Sequence, residues 1–289
     1  MRTSTFLSLT ASLFLASCAH GGGSASLAQT HVHGLALDRG DSSRLYIATH
    51  HGLHVLAGDK DLTLIGRSRD DFMGFSPHPT DRSILFSSGH PQGGGNLGFL
   101  KSEDGGKAWQ KVSNGNPGGP ADFHAMMVHP ANPNYIYGWY RLRVHRSSDQ
   151  GRTWEILANQ PPEVLSFAGD AANENVIYIG SIGDLLRSTD RGETWESMTD
   201  ALSTDVVFDI EVEPESGALF LATRDRGIVK LSKGVEGGVV LEDLGVLPGE
   251  DTPQYLALDP KNPQTLYTFT KAHALYKSSD GGRVWLKLL

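Results

Sequence analysis

The sequence predicts an all-β chain folded as a six-bladed β-propeller of four-stranded antiparallel blades. Three observations carry that expectation. The pattern Ser-x-Asp-x-Gly-x-x-Trp occurs four times, at Ser102–Trp109, Ser147–Trp154, Ser188–Trp195 and Ser278–Trp285. The copies begin 45, 41 and 90 residues apart, and the last gap holds two repeats with a worn copy between them. A period of ~40–50 residues is that of one propeller blade. Short β-rich runs such as Arg44–Ala48, Tyr135–Tyr137 and Thr265–Thr268 recur between turn signals, and no segment sustains a helical period.

The repeated pattern has a physical reading. Ser and Asp exchange hydrogen bonds across a tight turn, and Gly supplies positive φ without steric cost. Trp then fills the gap between neighbouring sheets with a large apolar ring. These residues resemble the Asp-box, or BNR, repeat found in sialidases, xyloglucanase-type glycoside hydrolases, sortilin-type receptors and photosystem II assembly factors. The resemblance covers nearly all of the chain after its leader. Thr153 and Thr194 match the Thr that this repeat places before Trp, whereas Ala108 and Val284 depart from it. The resemblance implies the fold and a structural turn, and it transfers no activity.

Residues 1–17 have the form of a lipoprotein signal peptide. Arg2 gives a positive start, and Phe6–Ala16 is an apolar run too short to span a membrane. Leu15-Ala16-Ser17-Cys18 resembles a bacterial lipobox, which implies cleavage before Cys18 and a diacyl group on its sulfur. Cys18 is the only cysteine, so there is no disulfide framework. Residues 18–30 are small, Gly-rich and polar, as a flexible tether requires. The expected location is the bacterial cell envelope, lipid-anchored and extracytoplasmic, in the periplasm or on the outer surface. The formal net charge is −8, and −9 once Arg2 leaves with the leader. No basic stripe exists, which argues against a nucleic-acid partner and leaves membrane contact to the lipid alone.

Residues 31–289 divide into six blades. Blade one runs from His31 to about Gly66, blade two from Asp70 to Ser113 and blade three from Asp122 to Leu157. Blade four spans Glu163–Met198, blade five Asp205–Leu244 with its turn pattern lost near Ser232, and blade six Gln254–Leu289. Pro130–Pro133 and Pro260–Pro263 mark turns between first and second strands. The chain begins on an inner strand and ends on an outer one. Closure is therefore expected from packing of blade one on blade six, with no strand exchanged.

Histidine is the compositional surprise. Ten of the twelve histidines lie between His31 and His145, within the first three blades. Counting back from the shared ending of the inner strands places His33, Met73, His124, Leu165, Phe208 and Gln254 at one equivalent position. Two residues earlier stand His31, Asp71, Asp122, Glu163, Val206 and Thr252, on the same side of each strand. The ends of the second strands supply His50-His51, His90, Tyr140-Arg141, Ile182, Arg224 and Lys271. In an up-and-down blade these positions all reach one mouth of the central channel. The Gly-rich insertion 91–96 overhangs that mouth and has the composition of a mobile cover. His78 and His129 fall on the opposite, turn-rich face. His54 and His145 lie on third strands with room to be exposed, and His273 stands alone in blade six.

Three classes of function follow. In the first, His31, His33, His50, His51, His90, His124 and Met73 bind a transition metal or a small polar ligand at the membrane surface. Imidazole suits zinc, copper, iron and nickel, neighbouring carboxylates orient or join it, and Met73 points toward copper. In the second, Asp71 and Asp122 are the carboxylate pair of a glycoside hydrolase, with Glu163 in the same register. Blade spacing suits the ~6.5–9.5 Å separation of inverting enzymes. Trp139, Tyr140 and Arg141 would then contact a glycan. A sialidase reading lacks the Arg-Ile-Pro stretch of that family, and Lys271 replaces a third arginine beside Arg141 and Arg224. Asp71 and Asp122 also read as ordinary turn residues entering a strand. A protein-interaction or assembly scaffold is the third class, because such propellers leave no short motif.

Overall fold

The computed structural model describes residues 27, 30–234 and 238–289. The leader, Cys18 and most of the tether lie outside the described residues. Six antiparallel sheets follow one another along the chain, each a meander of four consecutive strands. Blade one holds β1 (Val32–Leu37), β2 (Arg44–Thr49), β3 (Gly52–Ala57) and β4 (Asp61–Leu64). Blade two holds β5 (Asp71–Pro77), β6 (Leu85–His90), β7 (Phe99–Ser102) and β8 (Gln110–Ser113). Blade three is β9 (Ala125–Val128), β10 (Ile136–Tyr140), β11 (Arg143–Ser147) and β12 (Glu155–Ile156). Blade four is β13 (Ser166–Gly169), β14 (Ile177–Gly180), β15 (Leu185–Ser188) and β16 (Glu196–Ser197). Blade five is β17 (Val207–Val212), β18 (Leu219–Thr223), β19 (Gly227–Lys233) and β20 (Val239–Gly245). Blade six is β21 (Pro253–Leu258), β22 (Leu266–Thr270), β23 (Leu275–Ser278) and β24 (Leu286–Lys287). The six expected blades are thus present in the expected places.

The repeated turn works through its own hydrogen bonds. In each of the four copies the Ser hydroxyl donates to the Asp carboxylate at 2.7–2.9 Å. The same hydroxyl accepts from the Gly N–H at 2.7–2.9 Å. The Asp carboxylate then accepts from the N–H just before Trp at 2.9 Å. The N–H of Ala108 and the hydroxyl of Ser102 together hold the Asp104 carboxyl below its usual range. The Trp rings reach toward the preceding blade. Trp154 lies 4.9 Å from Phe123 and 5.2 Å from Phe99 of blade two, with its indole N–H on Gly151 O.

Six apolar clusters fill the six seams, one between each pair of neighbouring blades. The seam between blades six and one is built like the others. Leu27, Leu35, Leu45 and Ile47 pack there on Tyr267, Phe269 and Leu275, with Leu288 against the same cluster. Tyr267 OH donates to Asp59 at 2.7 Å and Lys277 Nζ reaches the other oxygen of that carboxylate. Among the described residues no strand crosses this seam, as expected.

The six innermost strands stand side by side around a channel. Their inner edges carry unpaired backbone groups, a liability that side chains of the preceding blade remove. Ser76 Oγ accepts from Val128 N at 3.1 Å. Asp209 accepts from Leu256 N at 2.8 Å. Asp209 and Glu211 line the channel with Tyr255 and Arg39. Burial pushes the Asp209 carboxyl up to about 7 and the Glu211 carboxyl up to about 8.

Candidate metal centre

The position shared by the inner strands is a β-bulge in four blades. The register shifts at His33, Met73, Phe208 and Gln254. A bulge leaves one residue outside the ladder and re-aims its side chain. His33, Met73 and Phe208 line the channel from such bulges, and His124 and Leu165 line it from the equivalent positions of blades three and four. Gly89 permits the close approach that sets His90 opposite Asp71. Its φ is +151°, and a Cβ there would lie 1.8 Å from Asp71 O.

Two groups of metal-ligating side chains result, each with its donor atoms within 4.8 Å of one another. The first is His33, His50 and Asp71. His33 Nε2 lies 3.5 Å from Asp71 Oδ1, and His50 Nε2 lies 3.5 Å from Asp71 Oδ2. The two imidazoles stack at 4.5 Å with 17° between their planes. Burial, then the neighbouring His50 and His31, lower the His33 pKa to about 3, so the ring is neutral. Burial also raises the Asp71 carboxyl.

The second group is His90, Asp122 and His124. Both imidazoles turn Nε2 onto Asp122 Oδ2, at 2.8 and 2.9 Å. His90 donates its other ring nitrogen, Nδ1, to Gly95 O at 2.8 Å. Such a bond orients the ring so that Nε2 faces Asp122. The hydrogen bond to Asp122 raises the His124 pKa. Asp122 is only 3 % exposed. Three polar atoms of the two groups, His33 Nε2, Asp71 Oδ1 and Asp122 Oδ1, are buried without a hydrogen-bond partner. Buried polar atoms of this kind are costly unless something fills their valence.

The other expected residues divide. His31 lies outside both groups but within 5.1 Å, ring to ring, of His50. His51 is exposed and bonds Thr30 Oγ1 through Nδ1 at 2.9 Å. Trp139, expected at the mouth, is instead 7 % exposed and packed between blades three and four. Tyr140 accepts from Asn96 at 3.0 Å, and the Arg141 guanidinium sits 5.1 Å over its ring. Three further expectations need correction. His54 and His145 are buried, because third strands pack on both faces. His145 is held by Arg143 O and Asn116 and rests against the Phe123 ring. His273 is not isolated, since its ring lies 5.7 Å from His31 across the seam. The insertion 91–96 is pinned by His90 to Gly95, by Gln92 to Arg69 O and by Asn96 to Pro120 O. It is a fastened rim rather than a loose cover. His78 and His129 serve turns, as their positions suggested.

No protein-family model matches the chain, and no curated protein matches it. Solved structures do. The GH74 xyloglucanase from Xanthomonas campestris is similar at 20 % identity and a TM-score of 0.63, over 91 % of this chain and 46 % of that one. The GH74 enzyme of Niastella koreensis is similar at 16 % identity and a TM-score of 0.65, over 89 % and 45 %. The chain thus spans about half the length of these GH74 proteins. YCF48 from Cyanidioschyzon merolae is similar at 12 % identity and a TM-score of 0.58, over 91 % and 86 %. At such identities these likenesses establish the propeller fold and nothing finer.

Proposed function

We propose that this protein binds a transition metal, copper or zinc, at the mouth of its channel, and does so in the bacterial cell envelope on the lipid of Cys18. One observation carries the reading. Four imidazoles and two carboxylates converge there in two groups, and three of their atoms are buried with no partner. His33, His50 and Asp71 would ligate on one side, and His90, Asp122 and His124 on the other. Met73 lines the channel beside them. His31, in contact with His50 and with His273, extends the imidazoles outward from the first group along the path an arriving ion would take. Bound metal supplies a Lewis acid; these side chains hold it and set its geometry. The tether and net negative charge suit capture at a membrane surface without nucleic acid. A small polar ligand would reach the same mouth through the metal.

Glycoside hydrolysis by Asp71 and Asp122 is the competing chemistry, favoured by the likeness to GH74 folds. Against it stands the burial of Asp122 beneath two imidazoles, where a glycosidic oxygen has no access. A scaffold role is the reading that survives if neither holds. The experiment is metal titration of the full chain in detergent, with copper and zinc in turn. Binding that weakens at least about a hundredfold in His33→Ala/His124→Ala supports the proposal. Absence of binding, together with turnover of aryl glycosides that Asp122→Asn abolishes, overturns it in favour of the hydrolase.

A further inference from the structure

The two groups of ligands are coupled by the fold. Asp71 and His90 face each other across β5 and β6, so one member of each group shares a cross-strand pair. Such residues have Cα atoms about 4.5–5.5 Å apart.

Blade symmetry links the groups more closely. The second group takes the end of one blade's second strand, His90, and two residues entering the next blade, Asp122 and His124. Turned back by one blade, that set becomes His50, Asp71 and Met73. The first group keeps His50 and Asp71 but draws His33 from blade one. Met73 is therefore the blade-two counterpart of both His33 and His124, and it lines the channel with them.

We infer that the two groups hold two divalent ions side by side as one binuclear centre, with His33, His50 and Asp71 on one ion and His90, Asp122 and His124 on the other. This rests on the metal-binding reading given above. Each ion receives two imidazoles and a carboxylate, a nitrogen–oxygen set that suits zinc or copper(II) better than copper(I). Three protein donors leave a tetrahedral ion one open position. Asp71 Oδ1 and Asp122 Oδ1, both buried and unpartnered, give each ion a carboxylate oxygen not committed elsewhere. Two divalent ions bring more positive charge than two carboxylates cancel. The loaded mouth is then locally cationic within a chain of net charge −8, and it takes a small oxyanion of the phosphate class across the open positions.

The test uses the full chain in detergent, loaded with copper(II) and read by metal analysis and electron paramagnetic resonance. The expected result is two ions per chain with a dipole-broadened spectrum. His50→Ala and His124→Ala should each retain one ion and a sharp mononuclear spectrum. Inorganic phosphate should alter the wild-type spectrum and leave both variants nearly unchanged. One ion in the wild type, or two with unbroadened lines, overturns the binuclear centre while leaving metal binding intact. No bound ion overturns the metal-binding reading itself. A spectrum indifferent to phosphate overturns the oxyanion.

Discussion

Blades one to three and blades four to six share a backbone and differ in what they bring to the channel mouth. The shared inner position holds His33, Met73 and His124 in the first half, and Leu165, Phe208 and Gln254 in the second. The preceding polar position holds His31, Asp71 and Asp122 against Glu163, Val206 and Thr252. The bulge that re-aims these residues occurs in both halves, at His33 and Met73 as at Phe208 and Gln254. Chemistry here is thus a matter of residue identity on an indifferent scaffold. The second half spends its channel carboxylates otherwise. Asp209 satisfies a backbone N–H of blade six, whereas Asp71 and Asp122 keep an oxygen without a partner.

The largest effect should come from stripping the first half alone. His33→Ala/His124→Ala should lower metal affinity at least about a hundredfold. Leu165→Ala/Gln254→Ala, at the same positions of the second half, should leave it unchanged. Equal losses measured by titration calorimetry would break the distinction between halves. Next comes Gly89→Ala, which forces a Cβ onto Asp71 O at a φ of +151°. It should destabilise the fold by about 1–3 kcal/mol in chemical denaturation and misplace His90. Smaller again is Met73→His, which puts imidazole at the position between the two groups. It should tighten zinc about tenfold, the scale on which supporting groups act, and unchanged affinity would place Met73 outside the centre.

The smallest effect separates the halves by pH. Asp209 and Glu211 have folded pKa values of about 7 and about 8, above the ~4 of an unfolded carboxylate. Between those values the folded state holds more protons than the unfolded one. Their contribution to stability is therefore complete below about pH 4 and is lost as pH rises toward 8. Melting temperature should fall measurably from pH 5 to pH 8. Asp209→Asn/Glu211→Gln should flatten that fall, and a slope unchanged in the double variant would sink the assignment.

Much of this organisation is legible in the chain because the decisive signals are local. The turn at Ser102 and Asp104 closes through bonds within seven residues, so its spacing marks blades directly. Counting from inner-strand endings locates His33 and His124, since each stands the same number of residues before that ending. What escapes is set by neighbours in space. Trp139 and Tyr140 are adjacent on β10 and face opposite sides, and only the seam of blade four shows that Trp139 is covered. His273 lies two residues past the aligned strand end, on a turn with φ 59°, and reaches His31 only when the ring closes. Asp209 and Glu211 alternate with apolar residues like an exposed strand face. Asp209 acquires its role from the backbone edge of blade six, which no local pattern announces.

The seam between the first and last blades has a topological consequence. Each sheet is one uninterrupted stretch of chain, and Leu27 and Leu288 meet in a single cluster. The ring has no privileged starting point. A circular permutant that joins these ends with a short linker and opens the chain between blades one and two should keep all six sheets, and with them the mouth.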